Sequence, residues 1–181
     1  SVFADSADAL GMSQVFKQFL AGQIHTAREF SLLWAPTVNS YRRFQPGSWA
    51  PTGIGWGVDN RTLGFRQVGH GNGTRVENRI PGADANSYLA FAGTIAGGLY
   101  GIKNKLTLGE PFMGNGYEDS SVGRIPWNLP DAIALWRDSD IARECFGEEV
   151  HHWILRSAQS EWEAFNRTVT DWEKNRYFER I

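Results

Sequence analysis

The chain has 181 residues, 41% hydrophobic and 21% charged, with a formal net charge of −2. That excludes a disordered chain and argues against attachment to nucleic acid by bulk positive charge. A single cysteine, Cys145, excludes an internal disulfide and zinc sites built from cysteine pairs, and it suits a reducing compartment.

The first periodic segment is helical. Met12, Val15, Phe16, Phe19, Leu20, Ile24, Ala27 and Leu33 recur at three- and four-residue steps, with Ser13 as N-cap and Pro36 as the stop. One helix ending by about Ala35 is predicted. From Asn39 to Ile80, Gly, Pro and aromatic residues punctuate short runs, and Thr52–Val58, Thr62–Val68 and Arg75–Ile80 read as strands. Gly69–Gly73 tolerates positive φ and reads as a hairpin turn rather than a phosphate loop, because a strand pattern follows it.

Asp84 or Asn86 can cap a second helix running to about Ile102. Its Gly93, Gly97 and Gly101 share one face, which implies close packing against a sheet or another helix. The uncharged run from Ala85 to Ile102 is about long enough to span a bilayer, yet it carries Asn86, Ser87, Thr94 and four glycines. It reads as a buried soluble helix. A long connection from Thr107 to Pro130 follows, then a short helix over Asp131–Trp136. A longer helix is predicted from near Gly147, with Glu148 and Glu149 in its first turn. Val150, Trp153, Ile154, Trp162, Phe165, Val169 and Trp172 mark its apolar face. The whole is one piece of α+β architecture, an antiparallel β-sheet packed with long helices.

Arginine outnumbers lysine 14 to 4, and six arginines (42, 43, 61, 66, 75, 79) fall between Arg42 and Arg79. Only Asp59 and Glu77 oppose them, so this window carries +4 and the remainder −6. A local excess on a mildly acidic chain points to a bound anion. In Arg75-Val-Glu-Asn-Arg79, strand alternation puts Arg75, Glu77 and Arg79 on one side. A carboxylate between two guanidiniums can hold a divalent cation beside phosphate oxygens, or the three can form a solvated ladder of charges. Other catalytic groups are few. The adjacent His151 and His152 diverge by about 100° on a helix, so they read as surface or capping residues. His25 and His70 have no evident partner, and Cys145 reads as a small packed residue.

A set of short motifs occurs in one order: Asn39-Ser-Tyr-Arg-Arg43, Pro46-Gly47, Ala50-Pro51, Asp59-Asn-Arg-Thr62, Arg75-Val-Glu-Asn-Arg79, Ala83-Asp-Ala-Asn-Ser-Tyr-Leu89 and Gly98-Leu-Tyr-Gly-Ile-Lys-Asn-Lys105. Together they resemble the C-terminal part of the catalytic domain of the glutamine synthetase family. The closing Thr170–Ile181 resembles the C-terminus of bacterial γ-glutamyl-amine ligases of that family. The resemblance implies a partial glutamine synthetase/guanido kinase-like catalytic domain over residues 1–181. The family's N-terminal β-grasp domain and the first part of the catalytic domain would then precede Ser1.

It also implies an ATP-dependent ligase that joins glutamate and an amine through a γ-glutamyl phosphate. Glu77 matches the family's metal-binding glutamate, for Mg2+ or Mn2+. Arg43 and Arg79 match arginines that hold glutamate, and Arg79 also lies near the transferred phosphoryl. Arg61 matches the arginine that stabilises charge in phosphoryl transfer, making Arg61 and Arg79 the catalytic candidates. Arg61, Arg66 and Arg75 are the ATP/phosphate-binding candidates.

One position departs from ammonium-using members. Where they carry a glutamate after Pro-Gly-x, this sequence has Trp49. An indole supplies no negative charge but can pack on the methylenes of a larger amine or make a cation–π contact. Trp49 is therefore the amine-pocket candidate, for an organic amine such as a polyamine, ethanolamine or a monoamine.

Further expectations follow from the resemblance. The whole enzyme is a homo-oligomer in the cytoplasm, without nucleic-acid or membrane partners. Residues 1–181 alone hold half a site, are inactive and self-associate through uncovered apolar surface and strand edges. The alternatives are an ammonium-using glutamine synthetase and a catalytically silent structural relative. A carbohydrate-binding module is a third reading, and it requires exposed tryptophans. The assignment of most Trp to apolar helix faces disfavours it.

Overall fold

Helix α1 (Gln14–Thr26) begins where its cap dictates: the Ser13 side chain accepts a hydrogen bond from the Phe16 amide at 3.1 Å. It does not continue to Ala35. The computed structural model, which describes residues 1–119 and 121–180, breaks the helix after Thr26 and resumes it as α2 (Ser31–Trp34). Tertiary contacts override the periodicity here. Phe30, fully buried, packs on Phe146 and Trp136, and the neighbouring Glu29 carboxylate accepts the Ser139 hydroxyl. Both ties require the chain to turn toward the C-terminal helices.

The three predicted strands form as β1 (Gly53–Val58), β2 (Leu63–Val68) and β3 (Arg75–Asn78). A fourth, β4 (Gly123–Arg124), arises inside the long connection, and the sheet order is β3-β2-β1-β4. The β2–β3 hairpin closes through Gly69 and Gly71, both at positive φ. The sheet is mixed, however, not wholly antiparallel. β1 runs parallel to β2, with Trp56 opposite Phe65, and antiparallel to β4. The return is possible because Gly57 lacks a side chain. A Cβ there would lie 2.9 Å from both Asn60 Cβ and the Phe112 carbonyl oxygen. Asp59 enters the return at φ 49°, in the left-handed region.

The Asn86 side chain caps α3 (Ser87–Lys103) by accepting from the Tyr88 and Leu89 amides. Its glycine face packs against another helix, α1. A Cβ on Gly101 would meet the Gln18 carbonyl at 2.1 Å, and one on Gly97 would meet Thr26 Oγ1 at 2.5 Å. Only that face is covered. Tyr88, Phe91, Ile95 and Leu99 remain exposed, which corrects the expectation of a buried helix. No helix among the described residues is long and apolar enough to cross a membrane.

Helix α4 (Leu129–Arg137) is capped by Asn128. α5 (Asp140–Asn166), capped by Ser139, is two helical stretches that meet in a kink at Gly147, whose φ of 78° and ψ of 159° leave helical geometry, so the second stretch begins where predicted and the first is an addition. Glu148 and Glu149 do follow the kink. The predicted apolar face divides: Ile154 and Trp162 are half-buried against the core, Val150 and Trp153 are exposed because α5 packs mainly on α4, and the exposed Val169 and Trp172 lie beyond the end of α5. His151 is instead buried. Its Nε2 lies 2.7 Å from the Trp136 carbonyl oxygen, and its own carbonyl accepts the Trp136 indole N–H at 3.0 Å. α6 (Asp171–Tyr177) carries a Thr170–Glu173 capping box, and Ile181 lies outside the described residues. The exposed Trp49, Trp127, Trp153 and Trp172 remove the ground on which a carbohydrate-binding surface was disfavoured.

Candidate active site

The site begins as a row across three strands. Gly57 of β1 pairs with Arg66 of β2, and Arg66 pairs with Glu77 of β3, so the two charged side chains stand on one face beside a position without a side chain. Arg66 Nη1 donates to Glu77 Oε2 at 3.0 Å, and Arg79 Nη1 donates to Glu77 Oε1 at 3.1 Å. Each carboxylate oxygen thus accepts one guanidinium. Arg66 also donates through Nε to Asp59 Oδ1 at 2.8 Å and through Nη2 to the same oxygen. The strained Asp59 backbone is what brings that carboxylate over β2.

Arg79 reaches outward as well, donating through Nη2 to the Trp49 carbonyl at 2.9 Å. Its side chain is only 14% exposed. Trp49 itself sits at φ 63°, and the residue is 71% exposed. Arg43 grips the backbone just beyond, through Nη1 to the Ile80 carbonyl and Nη2 to the Arg79 carbonyl. Burial, and then the charge of Arg79, lower the Arg43 pKa. Partial burial alone would raise the Glu77 pKa, but Arg66 and Arg79 hold it below the usual carboxylate range. The Arg66 contact likewise depresses Asp59, and the nearby Arg61 charge adds to it.

The sequence candidates therefore divide. Arg66, Glu77, Arg79 and the Trp49 backbone form one connected network, with Arg43 bracing its edge. Arg61 stands exposed on the β1–β2 link. Arg75 is exposed and folds back to the Gly73 carbonyl at 3.1 Å, so its guanidinium is directed to the hairpin instead. Asp59 is a member that sequence reasoning counted only as an opposing charge. No spacing rule pairs residues seven apart across a strand link, so only its place beside the Asn60-Arg-Thr62 motif hinted at it.

A net cationic, partly desolvated cluster of this kind can bind and neutralise phosphate or carboxylate groups. A divalent cation is another matter. Among the described residues no group of three or more His, Cys, Asp or Glu comes together, and both Glu77 oxygens are occupied by guanidiniums. A hard cation takes about six oxygen ligands, so these residues by themselves do not fit one.

The Glu77 pairings also predict an acid sensitivity. Because the folded-state pKa is depressed, the contribution is complete at neutral pH and is lost as pH falls below the ordinary glutamate value of about 4.3. Glu77 is 41% exposed, so its weight is at most about 1 kcal/mol, or roughly 2–4 °C in melting temperature. Thermal melts at pH 7 and pH 3 are expected to show a smaller acid-induced drop for Glu77→Gln than for the wild type. An equal drop in both would remove this role.

The family described as glutamine synthetase, catalytic domain, matches residues 1–177. Gamma-glutamylethanolamide synthetase GlnA4 of Streptomyces coelicolor is 51% identical over 175 residues, covering 97% of this chain and 38% of that protein. Type-1 glutamine synthetase 2 of Dictyostelium discoideum is 42% identical over 185 residues, covering 100% of this chain and 36% of that protein. A solved structure titled GmaS/ADP complex superposes with a TM-score of 0.86 at 28% identity, covering 98% of this chain and 42% of the other. The chain spans about two fifths of the length of the relatives it matches.

Proposed function

Because this chain belongs to the glutamine synthetase catalytic-domain family, we propose that it forms the C-terminal part of an ATP-dependent ligase that joins glutamate to an organic amine. The reading concerns the enzyme that these residues help to complete, since they span about two fifths of their relatives. The observation that carries it is the Asp59–Arg66–Glu77–Arg79 network joined to the Trp49 peptide. That network couples an anion-binding cluster to the position where an amine-selective residue is expected.

The proposed reaction has two steps. A glutamate side-chain carboxylate oxygen attacks the γ-phosphorus of ATP, and ADP leaves. The amine nitrogen then attacks the acyl carbon, inorganic phosphate leaves, and the nitrogen gives up a proton. Catalysis of this kind rests on positioning and on neutralising anionic oxygens, for which fixed guanidiniums are suited. We assign Arg61 and Arg79 to the transferred phosphoryl, Arg66 and Arg75 to the nucleotide phosphates, and Arg43 and Arg79 to glutamate. Arg75 would have to leave the Gly73 carbonyl to act, a turn of one exposed side chain. Arg43 acts in part through the backbone it grips. Family members use ATP and a divalent metal, and Glu77 is proposed as one carboxylate ligand. Its other oxygens would come from beyond these residues, and nothing here is derived through the cation.

Trp49 supports an organic amine over ammonium, as does the similarity to a protein named for an ethanolamide product. Similarity to a protein named a glutamine synthetase favours ammonium as the second reading. Phosphate release by full-length protein across an amine panel, with ATP and glutamate, decides between them. Ethanolamine or another organic amine is expected to exceed ammonium, and Trp49→Glu is expected to shift that preference toward ammonium by about tenfold or more. Ammonium as the best wild-type substrate would overturn the amine reading. Self-association through the exposed α3 face and a cytoplasmic location, where ATP and glutamate are supplied, complete the proposal.

A further inference from the structure

Trp49 poses a physical problem. A bulky non-glycine residue at φ 63° is strained by roughly 1–3 kcal/mol, and such a conformation persists only where its surroundings hold it. The indole cannot be the restraint, since the residue is largely exposed. The restraints act on the flanking peptides. On one side the Trp49 carbonyl accepts Arg79 Nη2. On the other, Ala50 is buried, its amide donates to Ser48 Oγ at 3.3 Å, and its carbonyl accepts the Tyr117 hydroxyl at 3.0 Å. Pro51 then confines Ala50 to an extended conformation.

Tyr117 is itself fixed. Its segment is strapped along β1 and the β1–β2 link. Phe112 N donates to the Trp56 carbonyl at 2.9 Å, Asn60 Nδ2 to the Gly114 carbonyl at 3.0 Å, and Gly116 N to Thr62 Oγ1 at 2.8 Å. Ile125 N closes the far end on the Thr52 carbonyl at 3.1 Å. The strap lies close because β1 is thin: a Cβ on Gly53 would stand 2.7 Å from Val122 Cγ1.

We propose that Tyr117 is a positioning residue for amine selectivity, its hydroxyl locking the left-handed turn that presents the Trp49 indole. The inference rests on the ligase reading above. The phosphate-facing network holds the same turn from the Arg79 side and keeps its own bonds to Glu77 and Asp59, so Tyr117 acts on the amine alone. Tyr117→Phe removes one hydrogen bond and leaves the ring in place.

In full-length protein, Tyr117→Phe is expected to raise KM for ethanolamine about fivefold, the weight of one such bond. KM for ATP and KM for ammonium, which makes little use of an indole, should stay at their wild-type values. Hydrogen exchange of the Ser48–Thr52 amides should quicken in the same variant, a readout independent of turnover. An unchanged ratio of ethanolamine to ammonium efficiency, or a parallel rise in KM for ATP, overturns the proposal. So does unchanged exchange at Ser48–Thr52. A wild-type protein with no amine-dependent turnover would sink the ligase reading and this proposal with it, whereas turnover with an unshifted ratio sinks the proposal alone.

Discussion

Replacing Arg79 by alanine is expected to lower amine-dependent phosphate release by about a thousandfold in full-length protein. Several contacts converge on this one guanidinium. It shares Glu77 with Arg66, anchors the Trp49 carbonyl, and has a buried Nε with no partner among the described residues. Each terminal nitrogen still carries a second hydrogen to offer an anionic oxygen. Removing a preorganised cation or donor from an anionic transition state typically costs two to three orders of magnitude or more. Arg79→Lys should recover little, because an ammonium cannot span Glu77 and the Trp49 carbonyl with two nitrogens. Initial rates with saturating ATP, glutamate and ethanolamine test this, alongside a melt showing that each variant folds. Near wild-type turnover in Arg79→Lys would mean that charge alone suffices and that the fork geometry is irrelevant.

The largest stability effect is expected at the α1–α3 contact. Gly101→Ala places a methyl group 2.1 Å from the Gln18 carbonyl oxygen and 2.6 Å from Gly22 Cα, and both obstacles are backbone. Alanine gains about 1 kcal/mol of helix propensity over glycine, but two packed helix backbones cannot yield as a side chain would. A net loss of about 3 kcal/mol follows, or roughly 10 °C in melting temperature for a chain of this size. Gly109→Ala, where nothing lies within 4 Å of the new Cβ, is the matched control and should change little. A Gly101→Ala melt within a degree or two of the control would show that the helices separate freely.

These two predictions differ in how legible their bases were. The Gly93/Gly97/Gly101 spacing by itself required one smooth helix face, because a four-residue repeat keeps side chains aligned whatever lies opposite. It could not say whether a sheet or a helix covered that face. The arginine network was half legible. Strand alternation put Glu77 and Arg79 together, and the structure joins them at 3.1 Å. The same alternation included Arg75, which turned to the hairpin, since an exposed side chain is free to take the nearest carbonyl.

By itself the sequence determined what depends on near neighbours. Ser13, Asn86 and the Gly69–Gly73 turn set their elements correctly, because caps and tight turns satisfy backbone groups within a few residues. The ordered motifs likewise pointed to the family whose catalytic-domain description matches residues 1–177. Tertiary structure alone decided the break after Thr26, the parallel pairing of β1 with β2, and the burial of His151 in place of Trp153. It also recruited Asp59 and Tyr117. Each depends on which surfaces meet across tens of residues, and periodicity along a chain carries no information about what stands opposite.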